Sequence, residues 1–90
     1  MKSLSNIDLK MLLEKLERKM KIKFPKEIIS TSFVENTLHI RFTYPKTRET
    51  YVESPPLKTP VFLFRDEEIG EITAIEVLDI DEALIELSRE

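Results

Sequence analysis

Apolar and polar residues alternate strictly along residues 37–44. This period of two is typical of a strand with one buried face and one wet face. Residues 29–34 are predicted to form a short strand before it, and Glu35-Asn36 between the two strands predicts a turn. The apolar positions of the alternating run are Leu38, Ile40, Phe42 and Tyr44.

A second hairpin is predicted at residues 60–80, and the rest of the chain is organised around it. Val61-Phe62-Leu63-Phe64 is apolar on both faces, which favours a central place in the sheet. Residues 69–78 form the returning strand, and Gly70 in the acidic turn is expected to take a positive φ. Because both faces of this hairpin are apolar, we expect a cover on each face, supplied by a helix or by a partner chain.

Two amphipathic helices are predicted at the ends of the chain. In residues 5–23, leucines and methionine recur every three or four positions, Ser5 provides a capping box, and Pro25 ends the helix. Near the C-terminus, Asp79 caps a short helix with Glu82 three residues later. The apolar stripe of that helix consists of Ile80, Ala83, Leu84 and Leu87.

These elements predict an α+β fold. We expect an antiparallel sheet of four to five strands with a long N-terminal helix and a short C-terminal helix. Residues 49–53 are the candidate fifth strand, at an edge of the sheet, and charges and prolines flank them. The 90 residues make one domain, with a helical extension at 1–25, the sheet at 29–80 and the short helix at 80–89.

The composition excludes several classes of protein. Hydrophobic residues make up 41% and charged residues 34%, which is typical of a globular chain. Cysteine is absent and no apolar run approaches the roughly 20 residues that span a bilayer. We therefore expect a cytoplasmic protein without a membrane segment. The lack of Cys and Gln beside abundant Glu, Lys and Ile indicates a thermophilic source.

Charge is distributed unevenly along the chain. Residues 1–26 carry eight basic and three acidic side chains, and residues 27–90 carry six and fourteen, within a net charge of -3. Such asymmetry is found in nucleic-acid surfaces and in complementary self-association. Lys15, Arg18 and Lys19 are the candidate nucleic-acid residues. No helix-turn-helix, zinc finger or aromatic platform accompanies them, which favours a solvated helix face.

Few residues suggest chemistry. His39 is the single histidine, with Glu53 or Tyr51 as its candidate partners, and an exposed strand histidine is the simpler interpretation. Glu76 lies mid-strand and is expected to form a cross-strand salt bridge with Arg41 or Arg65, because an unpaired buried carboxylate is costly. The acidic turn at 66–68 lacks the ligand spacing of a calcium loop and is interpreted as a solvated hairpin tip.

Two segments within residues 30–80, NTLHIRF (36–42) and DEEIGEITAIEVLD (66–79), resemble the small prokaryotic family called domain of unknown function 2283. Its pattern is an acidic turn, a strand of the type L-Y-I-x-F/L, a variable middle and a closing D-x-G-x-I-x-G-I-E-I-L-D. This chain departs from that pattern at His39, where the family has Tyr, at Ala74, where it has Gly, and in the basic helix before Pro25. The matching residues are Leu38, Ile40 and Phe42 in NTLHIRF (36–42), and Gly70, Ile72, Ile75, Glu76, Leu78 and Asp79 in DEEIGEITAIEVLD (66–79).

The resemblance implies a compact antiparallel sheet without an established activity, and an antitoxin-like role beside a toxin-like partner. The two apolar faces of the hairpin, in a small domain with few helices to cover them, predict a non-enzymatic protein-interaction domain that forms homo-oligomers. We expect it to have no catalytic residues, cofactor or metal ion. Nucleic-acid binding by the basic helix is the alternative. The candidate interface residues are Val61, Phe62, Leu63, Phe64, Ile75 and Val77.

Overall fold

The computed structural model describes residues 8–53 and 57–89, and it has the predicted α+β architecture. A five-stranded antiparallel sheet carries one helix from each end of the chain. The candidate fifth strand at residues 49–53 is present as β3. The elements are α1 (Leu9–Met20), β1 (Ser30–Val34), β2 (Thr37–Arg41), β3 (Glu49–Glu53), β4 (Val61–Asp66), β5 (Ile72–Val77) and α2 (Ile80–Ser88).

The strand order is β1-β2-β5-β4-β3, which places both strands of the second hairpin inside the sheet, as predicted. β1 and β2 are joined by a two-residue turn in which Glu35 and Asn36 both have positive φ, 50° and 68°. This is the turn that matches the natural twist of a hairpin, and asparagine tolerates it well. β2 then pairs with β5, with Ile40 opposite Ile75.

Both helices pack against the same face of the sheet. Leu12 and Leu16 of α1 belong to one buried cluster with Ile80 and Leu87 of α2, and the two helices contact each other. The expectation that the C-terminal helix covers the second face is therefore wrong, and a partner chain stays the other candidate for that cover. The sheet residues of this cluster are Leu38, Ile40, Phe42, Val61, Leu63, Ile72, Ile75 and Val77.

A register shift between Phe64 and Arg65 changes which residues of β5 reach the core. Ile72 pairs with Arg65 and is buried in the same cluster as Ile75. A strict alternation along residues 69–78 predicts Ile72 on the same side as Ala74, and the structure shows that prediction to be wrong. A β-bulge sets two residues of one strand against one of its partner, so the strict period of two is broken at that point.

The helix ends differ in part from the predicted ones. Ser5 lies outside the described residues, and Asp8 caps α1, its carboxylate accepting the N–H of Met11 at 3.1 Å. The helix ends at Lys21, which takes the left-handed conformation (φ 58°), four residues before Pro25. Asp79 caps α2 as predicted, because its carboxylate accepts the N–H of Glu82.

Gly70 has the positive φ expected of it, +79°, and a Cβ added there would meet no atom within 4 Å. Gly70→Ala is therefore expected to cost roughly 1–2 kcal/mol of folding free energy through backbone strain alone. Gly70→Asn should cost less, because asparagine adopts this conformation more readily. Urea unfolding of the three proteins measures the difference, and an alanine variant as stable as the wild type would contradict the positive φ.

Candidate functional site

The sheet face away from the core cluster carries neither of the two helices. We call it the open face. The strand registers align its side chains in two rows that run across all five strands. One row is Ser32, His39, Glu76, Phe62 and Glu53, and the other is Ser30, Arg41, Ala74, Phe64 and Tyr51.

Three aromatic rings form a cluster at the β3–β4 side of the open face. The ring of Tyr51 lies 5.7 Å from that of Phe62 in an edge-to-face arrangement, and 5.3 Å from that of Phe64. Both phenylalanines are half-buried, whereas Tyr51 is 62% exposed. Ring pairs at these distances stabilise a fold by about 0.5–1.5 kcal/mol beyond their buried area. The cluster is an ordered apolar surface that solvent reaches from the Tyr51 side.

His39 and Glu76 form a pair in the middle of the open face. Nδ1 of His39 lies 2.9 Å from Oε2 of Glu76, and the imidazole ring meets the edge of Phe64 at 5.6 Å. Glu76 therefore has a cross-strand partner, but it is His39 and not Arg41 or Arg65. His39 is half-buried and not exposed as predicted, and its partner is neither Glu53 nor Tyr51.

Arg41 is held by Glu49 from the edge strand. Its guanidinium donates two hydrogen bonds to that carboxylate, at 3.0 and 3.2 Å, and lies 5.3 Å from the centre of the Tyr44 ring. The hydroxyl of Thr73 donates to the same carboxylate. The Arg41 bonds, followed by that of Thr73, hold the pKa of Glu49 below its ordinary value against the effect of burial.

The six residues predicted as an interface are divided between the two faces. Four of them are buried under the helices and contribute nothing to the surface of the folded chain, because side chains alternate along a strand. The interface available to a partner is reduced to Phe62 and Phe64. The four buried residues are Val61, Leu63, Ile75 and Val77.

The basic residues of α1 share the helix surface with carboxylates. Arg18 is exposed, whereas Lys15 and Lys19 are half-buried, and Glu17 accepts the backbone N–H of Phe24. The N–H of Lys58 chiefly holds the pKa of Glu86 below its ordinary value, and the charge of Lys19 adds to this. The predicted nucleic-acid residues are thus mixed with acidic groups.

Asp66 is a buried carboxylate that the sequence interpretation missed. It is 2% exposed, and its carboxylate accepts hydrogen bonds from the N–H groups of Lys46, Thr47, Glu68 and Ile69 and from the Thr47 hydroxyl. The prediction of a solvated tip therefore holds for Glu67 and Glu68 only, which are exposed. An aspartate four residues before a glycine in a turn was the available signal.

Charge and shape limit what the open face can bind. The carboxylates of Glu49, Glu53 and Glu76 accompany its aromatic rings, with Arg41 and His39 as the basic groups.

Within residues 8–53 and 57–89, no group of three or more His, Cys, Asp or Glu side chains is placed to hold a metal ion. No helix of that part of the chain is long and apolar enough to cross a membrane.

Searches of protein-family models, of curated proteins and of solved structures found no significant match to this chain. The resemblance of residues 30–80 to the family named above therefore stays a prediction.

Proposed function

We propose that this chain is a non-enzymatic protein-interaction domain that forms homo-oligomers and binds a partner protein on the open face of its sheet. The observation that supports this most strongly is the cluster of Tyr51, Phe62 and Phe64 on a face that neither helix covers. Aromatic residues are enriched in the energetically important centres of protein interfaces. Fixed rings also lose little conformational entropy when a partner binds.

The charges of the open face favour a protein over a nucleic acid. Aromatic rings on a sheet also stack on bases, but such platforms lie in positively charged grooves. The row that contains Glu53 has one basic residue, His39, and His39 already pairs with Glu76. A partner that presents apolar and basic side chains fits this surface, whereas phosphate groups are repelled by it.

An antitoxin-like role is the narrower form of this proposal. In that case the partner is a toxin-like protein, and the domain neutralises it by occupying its surface. We also propose, from the composition, that the protein is cytoplasmic and comes from a thermophilic organism.

Tyr51→Ser is the sharpest test, because Val52 beside it offers a matched control. The two residues are 62% and 59% exposed on the same edge strand, and they lie on opposite faces. We expect Tyr51→Ser to abolish co-purification of the native partner from cells of the source organism. Val52→Ser should retain it and melt close to the wild type. Tyr51→Ser loses two ring contacts and should melt several degrees lower, but it should remain folded at the assay temperature, which circular dichroism checks.

Equal binding by both variants would contradict the proposal for the open face. Binding to nucleic acid that weakens steeply with salt would instead support the alternative function. Replacing Lys15, Arg18 and Lys19 with glutamate should then abolish a gel shift, because contacts of basic side chains with phosphates supply most of the affinity.

A further inference from the structure

The two edges of the sheet are protected very differently. β3 has a glutamate at each end, Glu49 and Glu53, and charged residues at a strand edge prevent pairing with other chains. β1 has none: residues 28–34, Ile-Ile-Ser-Thr-Ser-Phe-Val, contain no charge, no proline and no glycine. Among the described strands, β1 has a neighbour on one side only. It is an uncharged edge of high β-propensity.

The turn after β1 determines which backbone groups of this edge point outward. In a two-residue hairpin the pair that flanks the turn, here Val34 and Thr37, is hydrogen-bonded, and bonded and non-bonded pairs then alternate. Val34 and Ser32 therefore direct their N–H and C=O groups toward β2. The N–H and C=O groups of Thr31 and Phe33 point away from the sheet, where another strand can reach them.

We propose that a second copy of this chain adds its own β1 to this edge, antiparallel, about a twofold axis at Ser32. This deepens the proposed function, because it assigns a surface to the homo-oligomer. Thr31 of each copy lies opposite Phe33 of the other, so the outward-pointing groups of both residues are satisfied reciprocally. The product is one continuous sheet of ten strands, with the two open faces side by side.

Charge favours a second copy as the occupant of this edge. In a symmetric pair, any charge near the axis meets the same charge of the other copy, and like charges opposite each other are destabilising. The uncharged β1 edge avoids this repulsion. The open face does not, because a face-to-face dimer would bring its three carboxylates against those of the second copy. The homo-oligomer therefore uses the edge and leaves the open face for the partner.

Exposed apolar residues at this edge gain cover in the same arrangement. Ile28, Ile29 and Val34 are all exposed in the single chain. In the Ser32-centred register, Val34 lies opposite Ser30 of the second copy and diagonal to its Ile28. Two five-residue strands bury less than the roughly 1,200–2,000 Å² of a stable interface, so we expect dissociation in the micromolar range.

The test places a charge on the axis. Ser32→Lys and Ser32→Glu should each weaken dimerisation on the order of tenfold, because two like charges then stand on opposite residues whose Cβ atoms lie about 5 Å apart. An equimolar mixture of the two variants should restore the dimer, since opposite charges meet at the axis. Sedimentation velocity across a range of concentrations measures all three. Thr50→Lys on the opposite edge is the matched control and should dimerise like the wild type.

Three results would overturn the inference: a wild type that is monomeric at every concentration, a dimer unaffected by Ser32→Lys, or a mixture that fails to recover. Amide hydrogen exchange of the wild type is an independent measurement. The Thr31 and Phe33 amides should be protected in concentrated solution and lose that protection on dilution, whereas unchanged exchange would contradict the proposed edge. A monomer that still loses its partner on Tyr51→Ser would refute the edge pairing and leave the open face as the partner site.

Discussion

Replacing Leu16 with alanine is expected to lower the free energy of unfolding by about 2–5 kcal/mol. Leu16 is fully buried where α1 meets the sheet, in the same cluster as the side chains of α2. Alanine is the best helix former, so the loss comes from packing and not from helix propensity. A chain of this length has a total stability on the order of 5–13 kcal/mol, so this single change removes a large share of it.

Met11→Ala is the control for this prediction. Met11 lies in the same helix and is 48% exposed, so its removal should change the urea midpoint very little. Urea unfolding followed by circular dichroism compares the variants with the wild type. If Leu16→Ala cost no more than Met11→Ala, α1 would not be packed on the sheet as described.

Asp66→Asn, at the end of β4, is expected to lower the melting temperature markedly at neutral pH. Oδ2 of Asp66 accepts the N–H groups of Lys46 and Thr47, and an amide nitrogen in that position accepts no hydrogen bond. Both N–H groups would then face a donor. The variant therefore loses the link between the loop at 46–47 and the turn at 66–70. Glu67→Gln, one residue further along and exposed, should melt like the wild type.

The effect of Asp66 should depend on pH. The Thr47 hydroxyl, followed by backbone N–H groups, holds the pKa of Asp66 well below its ordinary value of 3.8. A carboxyl whose pKa is lowered by folding contributes stability that is fully present above 3.8 and is lost as the pH falls toward the folded value. The difference between the melting temperatures of the wild type and Asp66→Asn should therefore shrink progressively as the pH falls below about 4. A constant difference down to pH 2 would contradict this role.

Local patterns predicted most of the fold. The alternation in residues 37–44 identified β2, although the strand ends at Arg41, and Glu35-Asn36 identified its turn. The apolar run at 61–64 and Gly70 identified the central hairpin. These signals are short-range, because a turn or a strand face depends on residues a few positions apart.

The placement of the helices could not be predicted in the same way. Phe62 and Phe64 looked like core residues that required a second cover. In the structure the ring of Tyr51, from a neighbouring strand, contacts both of them, and no helix is needed there. A periodic pattern identifies an apolar face, but it does not distinguish burial under a helix from partial cover by a side chain.

The candidate site depended on a register that sequence alone does not specify. His39 meets Glu76 because β2 and β5, distant in the chain, pair with Leu38 opposite Val77. A shift of one residue would turn every side chain of one strand to the other face. The same dependence explains why Arg41 was expected beside Glu76, whereas it binds Glu49 of the edge strand.

The strand order also divides the sheet into two ribbons that meet along one line. β1 and β2 form one ribbon, β3, β4 and β5 the other, and each is built from neighbours in the chain. Side-chain hydrogen bonds from Asn36 to Asp79, from Thr37 to the Leu78 carbonyl and between His39 and Glu76 cross the line. Hairpins form in microseconds, whereas distant segments must first pay the entropy of closing a long loop. We therefore expect the joining of β2 to β5 to be the slow step of folding, and partial unfolding to separate the chain along the same line.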